Sequence, residues 1–214
     1  MPNYVPNGSF CYRGGIEGLQ GDGSPDNPYL ISNVNELQKF RDAVNSGQNE
    51  ICGKLTDDIG TVYFKDILPS IGTADHPYMG TFDGDGHYIS TYIYSSTVNR
   101  GVFGCIGTSG IVKNLAIREQ VGGDNSSGLA YSNAGTIAHC TVYGWDAQNI
   151  SKAIGFGLDD SKTYNSSLSG GDKYGGIVNT NTSSGRIIDC CVLGPMRVGF
   201  SDYKAGGLQQ LRQT

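Results

Sequence analysis

The chain has 214 residues, of which 33 are glycine, about 15% against a usual share near 7%, and its 20 acidic and 15 basic residues leave a net charge of −5. That balance excludes a nucleic-acid partner, whose phosphates demand concentrated Lys and Arg, and no apolar run approaches the ~20 residues of a membrane-spanning helix, so no membrane insertion is expected. Glycine enrichment without a strict G-X-Y period excludes collagen. The amino end, Met1 to Gly8, has no basic segment followed by an apolar one, so no signal peptide is read in it. Residues 1–20 read as an N-terminal extension.

Residues 21–49 read as a strand followed by a helix. Asn33-Val34-Asn35-Glu36 has the form of a capping box, and Val34, Leu37, Phe40 and Val44 fall on one helical face. Gly47 supplies the stop. The helix, over 36–45, is expected to cap the end of the repeats that follow, since an open stack of strands exposes core and edges.

Residues 50–214 carry the repeats. Three segments align, beginning at Gly101, Gly128 and Gly176, each with an aliphatic residue, a polar turn, then Gly-x-[Val/Ile]-x-x-[Leu/Cys]. The second glycines are Gly110, Gly135 and Gly185, spaced 25 and then 50 residues apart, and the doubled interval holds an insertion near 159–173. Alignment places Val102, Leu129, Ile177 and Leu208 in one apolar column. Val112, Ile137 and Ile187 form a second, and Leu115, Cys140 and Cys190 a third, with polar Lys113, His139 and Asp189 between. Period-2 alternation in a unit too short to bury its own apolar face predicts stacked strands. The fold class expected is all-β, a right-handed parallel β-helix (a β-solenoid) with a short N-terminal capping helix. Glycines are expected at its corners, where positive φ is needed.

The ordered series Gly21-Asp-Gly23-Ser-Pro-Asp-Asn-Pro28, Glu36-Leu37, Leu55-Thr-Asp-Asp58-Ile59, Ile71-Gly72, Gly80-Thr-Phe-Asp83-Gly-Asp-Gly86-His87 and Gly101-Val-Phe-Gly104 resembles the GLUG-repeat family of bacterial surface and secreted proteins. The resemblance runs from about residue 20 to 208. It implies a right-handed parallel β-helix of the kind found in adhesin-like proteins and beside protease domains in immunoglobulin A protease-like proteins, with no catalytic residue. The sequence departs from the family pattern at Ala130, at Ala153 and in the long insertion.

Candidate chemistry is sparse. Asp83-Gly-Asp85-Gly-His87 has alternating carboxylates like the start of a Ca²⁺ loop, but the later ligands are missing, and Asp and Gly equally suit a tight turn. Asp83 and Asp85 are the candidate metal ligands, and no other cofactor is indicated. His76, His87 and His139 lack ligand spacing, and no G-x-S-x-G or H-E-x-x-H occurs. The six cysteines, Cys11, Cys52, Cys105, Cys140, Cys190 and Cys191, are even in number and would suit three disulfides, but they form no C-x-x-C pair and read first as small buried hydrophobes, with Cys191 facing away from Cys190. Tyr88, Tyr92 and Tyr94 could present a ligand-binding strip. The function expected is a non-enzymatic structural or adhesive module, extracellular or at the cell surface, that binds host or matrix glycan or protein. A β-helical polysaccharide lyase or glycosidase, and a phage or virion receptor-binding module, are the alternatives. Gly206-Gly207-Leu208 begins a further repeat, so self-association through the open C-terminal turn is also expected.

Overall fold

The computed structural model describes residues 15–64, 70–94, 101–122, 126–144, 168–170, 174–175, 177–193 and 196–198. Three parallel sheets dominate. The first has six strands, β1 (Tyr29–Ile31), β2 (Gly53–Leu55), β4 (Thr81–Asp83), β7 (Ile111–Lys113), β11 (Thr136–Ala138) and β16 (Arg186–Ile188), hydrogen-bonded in that order. The second has five, in the order β3 (Ile59–Phe64), β5 (Tyr88–Tyr94), β8 (Ala116–Gly122), β12 (Thr141–Gly144) and β17 (Cys191–Leu193). The third has β6 (Phe103–Ile106), β10 (Ala130–Asn133) and β15 (Val178–Asn181). Two parallel pairs stand apart: β9 (Ser126–Ser127) with β14 (Tyr174–Gly175), and β13 (Leu168–Gly170) with β18 (Met196–Val198). Of the 159–173 insertion, only β13 lies within the described residues.

The single described helix, α1 (Val34–Asn45), starts where Asn33 turns extended at φ −153° and its side chain accepts the Glu36 N–H at 3.1 Å. Glu36 reaches back past the capping-box position. Its carboxylate accepts the Ser32 N–H at 2.7 Å and the Ser32 hydroxyl at 2.9 Å. The helix ends at Gly47, whose φ of +110° most residues avoid and whose N–H donates to Val44 O.

This arrangement corrects the expectation of an all-β right-handed β-helix capped by a helix. The described residues form parallel sheets together with a helix, an α/β-type arrangement, and no closed solenoid is shown. The helix is a constituent of the core. In the first sheet, Tyr29, Gly53, Phe82, Val112, Ile137 and Ile187 occupy successive register positions. Gly53 leaves a gap in that column, and Phe40 of α1 fills it, since a Cβ on Gly53 would stand 2.9 Å from the Phe40 ring. Phe40 and Phe82 pack edge-on, as do Phe82 and Phe103, and Tyr78 leans on both Phe40 and Phe103.

The repeat glycines also have a different cause from the one expected. Gly110, Gly135 and Gly185 do not adopt positive φ. A Cβ on Gly135 would lie 2.2 Å from Gly110 O, one on Gly110 would lie 2.3 Å from Tyr78 O, and one on Gly185 would lie 2.4 Å from Asn133 O. The neighbouring backbone occupies the space of a side chain. Positive φ falls instead on Asn114, His139 and Asp189, which follow β7, β11 and β16 at equivalent places.

Candidate functional site

The densest set of charged side chains among the described residues lines the corner where the first sheet passes into the second. Lys54, Asp83 and Lys113 occupy three successive register positions, so an acidic residue stands between two lysines along the ladder. Lys113 Nζ lies 3.1 Å from Asp83 Oδ2, and Lys54 Nζ lies 3.0 Å from Asp85 Oδ2. Asn114 donates its amide to Asp83 Oδ1 at 3.0 Å, and the Asp85 N–H donates to the same oxygen at 2.9 Å. Partial burial opposes ionisation of Asp83, yet the Asn114 amide, the Asp85 N–H and Lys113 together hold its carboxyl below the usual value.

Asp85 and Gly86 have φ of +49° and +86°, and the His87 N–H donates to Gly84 O at 2.8 Å. Positive φ at both central residues is the type I′ pattern that Asp-Gly favours. This turn carries His87 toward Asp58, in the loop before β3, with 3.2 Å from Nδ1 to Asp58 Oδ1. The Tyr88 N–H donates to the same oxygen at 3.2 Å. Asp58, Asp83 and Asp85 therefore each have a nearby cation, imidazole or N–H. No group of three or more His, Cys, Asp or Glu side chains among the described residues is placed to hold a metal ion. Asp83 and Asp85 share a backbone–carboxylate contact, and each lies beside a lysine.

Of the three tyrosines, Tyr88 is half-buried, while the side chains of Tyr92 and Tyr94 lie outside the described residues. Ser90, on the same face of β5 as Tyr88 by strand alternation, is only 3% exposed. Val112, Leu115, Leu129, Ile137, Cys140 and Ile177 are buried, and Ile187 and Cys190 are partly buried against them. His139 is exposed, with Nδ1 3.9 Å from Asp189 Oδ2. Cys11 and Leu208 lie outside the described residues.

Sequence reading missed the Asp58–His87 contact and the Lys54–Asp83–Lys113 ladder, because each joins residues about one repeat apart. A signal was present in the charge alternation of the aligned positions Lys54, Asp83 and Lys113. A fourth apolar column, Ile59, Ile89, Ile117 and Val142, all fully buried in the second sheet, was equally available from the alignment.

No family model matches the chain. The GLUG-repeat assignment is therefore not shown. Residues of the chain are 28% identical over 180 positions to halomucin of Haloquadratum walsbyi, an alignment that covers 79% of the chain and 2% of halomucin. A second relative, named "Putative Gly-rich membrane protein", from Evansella cellulosilytica, is 31% identical over 103 residues, or 45% of the chain and 12% of that protein. The chain thus spans a small fraction of the relatives it matches. Among solved structures, it resembles the crystal structure named "putative immunoglobulin A1 protease" from Bacteroides ovatus, with a TM-score of 0.50 and 19% identity over 83% of this chain and 61% of the other. That likeness is one of fold. Among the described residues, no helix is long and apolar enough to cross a membrane.

Proposed function

We propose that this chain is a non-enzymatic structural or adhesive repeat module of a surface or secreted protein, offering its polar corner and the Tyr88 strand to glycan or protein ligands. The observation that carries this reading is the way the carboxylates are spent. Asp83 and Asp85 are tied to Lys113 and Lys54 in register-spaced ion pairs, which supports a solvated, ligand-facing surface over a pair of poised catalytic acids. Alignment to 2% of halomucin and 12% of a Gly-rich membrane protein agrees with one module of a much longer chain. Among the described residues, β15, β16 and β17 stand last in the three sheets in hydrogen-bonding order, and further repeats or a second copy would add there by extending the same ladders.

Two measurements test this. The purified chain, incubated with pectin, alginate and similar acidic glycans with and without Ca²⁺, is expected to show no turnover. Turnover abolished by Asp83→Asn or Asp85→Asn would replace this reading with a polysaccharide-cleaving enzyme. On an array of glycans and extracellular proteins, binding weakened by Tyr88→Ala or Lys113→Ala is expected, and binding insensitive to both would remove the corner from the ligand surface.

A further inference from the structure

The third apolar column contains two thiols, Cys140 and Cys190. Register fixes their placement. Ala138 pairs with Ile188 and Thr141 pairs with Cys191, so Cys140 stands directly opposite Cys190 on the neighbouring tier. Their sulfurs have the same aim, displaced by one tier. Cys140 Sγ lies 3.3 Å from Ala138 O and 3.7 Å from Val112 O. Cys190 Sγ lies 3.2 Å from Ile188 O and 3.7 Å from Ile137 O, the corresponding carbonyls. The Cys140 N–H donates to Cys190 Sγ at 3.4 Å, which ties the two residues directly.

Tiers in a sheet are about 4.8 Å apart, inside the Cα separation of about 4.4–6.8 Å that a disulfide spans. Both residues sit at the corner between strands, outside the named strands, with the Cys191 N–H donating to Cys140 O at 3.0 Å. Cys191 is no competitor for Cys140, because it begins β17 and alternation sends its side chain away, to within 3.3 Å of Thr141 Oγ1.

We propose that Cys140 and Cys190 form a thiol–disulfide exchange site that reacts with a small-molecule disulfide and closes a covalent link between two adjacent tiers. The two thiols divide the work by exposure. Cys190 is partly exposed and meets the reagent, whereas Cys140 is fully buried. The contact with Cys140 holds the Cys190 thiol below its usual value, and the same contact together with burial pushes Cys140 well above it. In the first step the Cys190 thiolate attacks one sulfur of R–S–S–R, forming Cys190–S–S–R and expelling RS⁻. In the second, Cys140 sulfur attacks Cys190 sulfur, its proton passes to the departing RS⁻, and Cys140–S–S–Cys190 forms. Two protein thiols are oxidised, and one reagent disulfide is reduced to two thiols.

The test is incubation of the folded full chain with 2,2′-dithiodipyridine, followed by intact mass measurement and non-reducing peptide mapping. Expected for the wild-type chain is a Cys140–Cys190 linked peptide in which neither cysteine retains a pyridyl group, and a Tm several degrees above that of the reduced protein. Cys140→Ser should arrest the reaction, leaving a stable pyridyl adduct on Cys190. A wild-type map in which Cys190 keeps its adduct while Cys140 remains a free thiol would overturn the proposal. So would a Cys190–Cys191 link, or two unmodified thiols after Cys191 has fully reacted. The wild-type map alone decides the matter if the serine variant does not fold.

Discussion

Phe40 of the helix and Phe82 of β4 meet edge to face, with ring centroids 5.7 Å apart and planes at 62°. Both are fully buried, and Phe40 also takes the space over Gly53 that a side chain on β2 would fill. Phe40→Ala is therefore expected to cost about 3–5 kcal/mol. Urea unfolding followed by circular dichroism should show one cooperative transition at lower urea, with helix and strand signals lost together. Loss of helix signal alone, with strands melting as in the parent, would return α1 to the role of a detachable cap.

Gly135→Ala should destabilise by about 1–3 kcal/mol, because its Cβ would collide with the backbone carbonyls of Gly110 and Gly107, which cannot swing aside as a side chain would. Gly60→Ala is the matched control, since nothing lies within 4 Å of its added Cβ. Equal Tm values for the two variants would mean that the repeat glycines are not held by close backbone approach.

Ile137→Asp should abolish cooperative folding, a loss above about 4 kcal/mol, by placing a carboxylate between Val112 and Ile187 with no partner. Ile111 lies on a neighbouring strand but is 36% exposed, so Ile111→Asp should melt close to the parent. A folded Ile137→Asp protein would refute the register.

Asp83 predicts a direction for acid sensitivity. Its folded carboxyl lies below the ordinary value of 3.8, so the ionised form favours the folded state. That contribution is complete above the ordinary value and disappears as pH falls through the lower, folded value. Between about pH 5 and pH 2, Tm should fall more steeply in the parent than in Asp83→Asn. Parallel curves would show that the Asn114 and Lys113 contacts do not select the charged form.

What sequence could and could not disclose follows from where each constraint acts. A carbonyl in the space of a Cβ forbids every side chain, so Gly110, Gly135 and Gly185 leave a mark in every repeat, even though the reason is crowding and not dihedral angle. Positive φ leaves a weaker mark, because Asn, His and Asp tolerate it well enough that Asn114, His139 and Asp189 do not align as one residue type. Phe40 was legible as part of an apolar helical face, but its destination was not. The gap that it fills is a glycine on another element, and an alignment of strands records Gly53 only as a missing side chain. The Asp58–His87 contact was hidden for a similar reason, since it depends on the turn at Asp85-Gly86, which the other repeats lack.

That turn has a consequence for how such chains can vary. Between Asp83 and Tyr88 the corner uses residues 84–87, whereas the equivalent positions after Lys113, Ala138 and Ile188 use only 114–115, 139–140 and 189–190. Pairing on both sides is nevertheless preserved, Asp83 with Lys113 and Tyr88 with Ala116. Length can therefore change at this point without shifting either sheet, so the corner is a natural graft site. A short peptide epitope spliced between Asp85 and Gly86 would be displayed on a rigid edge, at a fixed distance from the lysine ladder, with the stacking underneath left as it is.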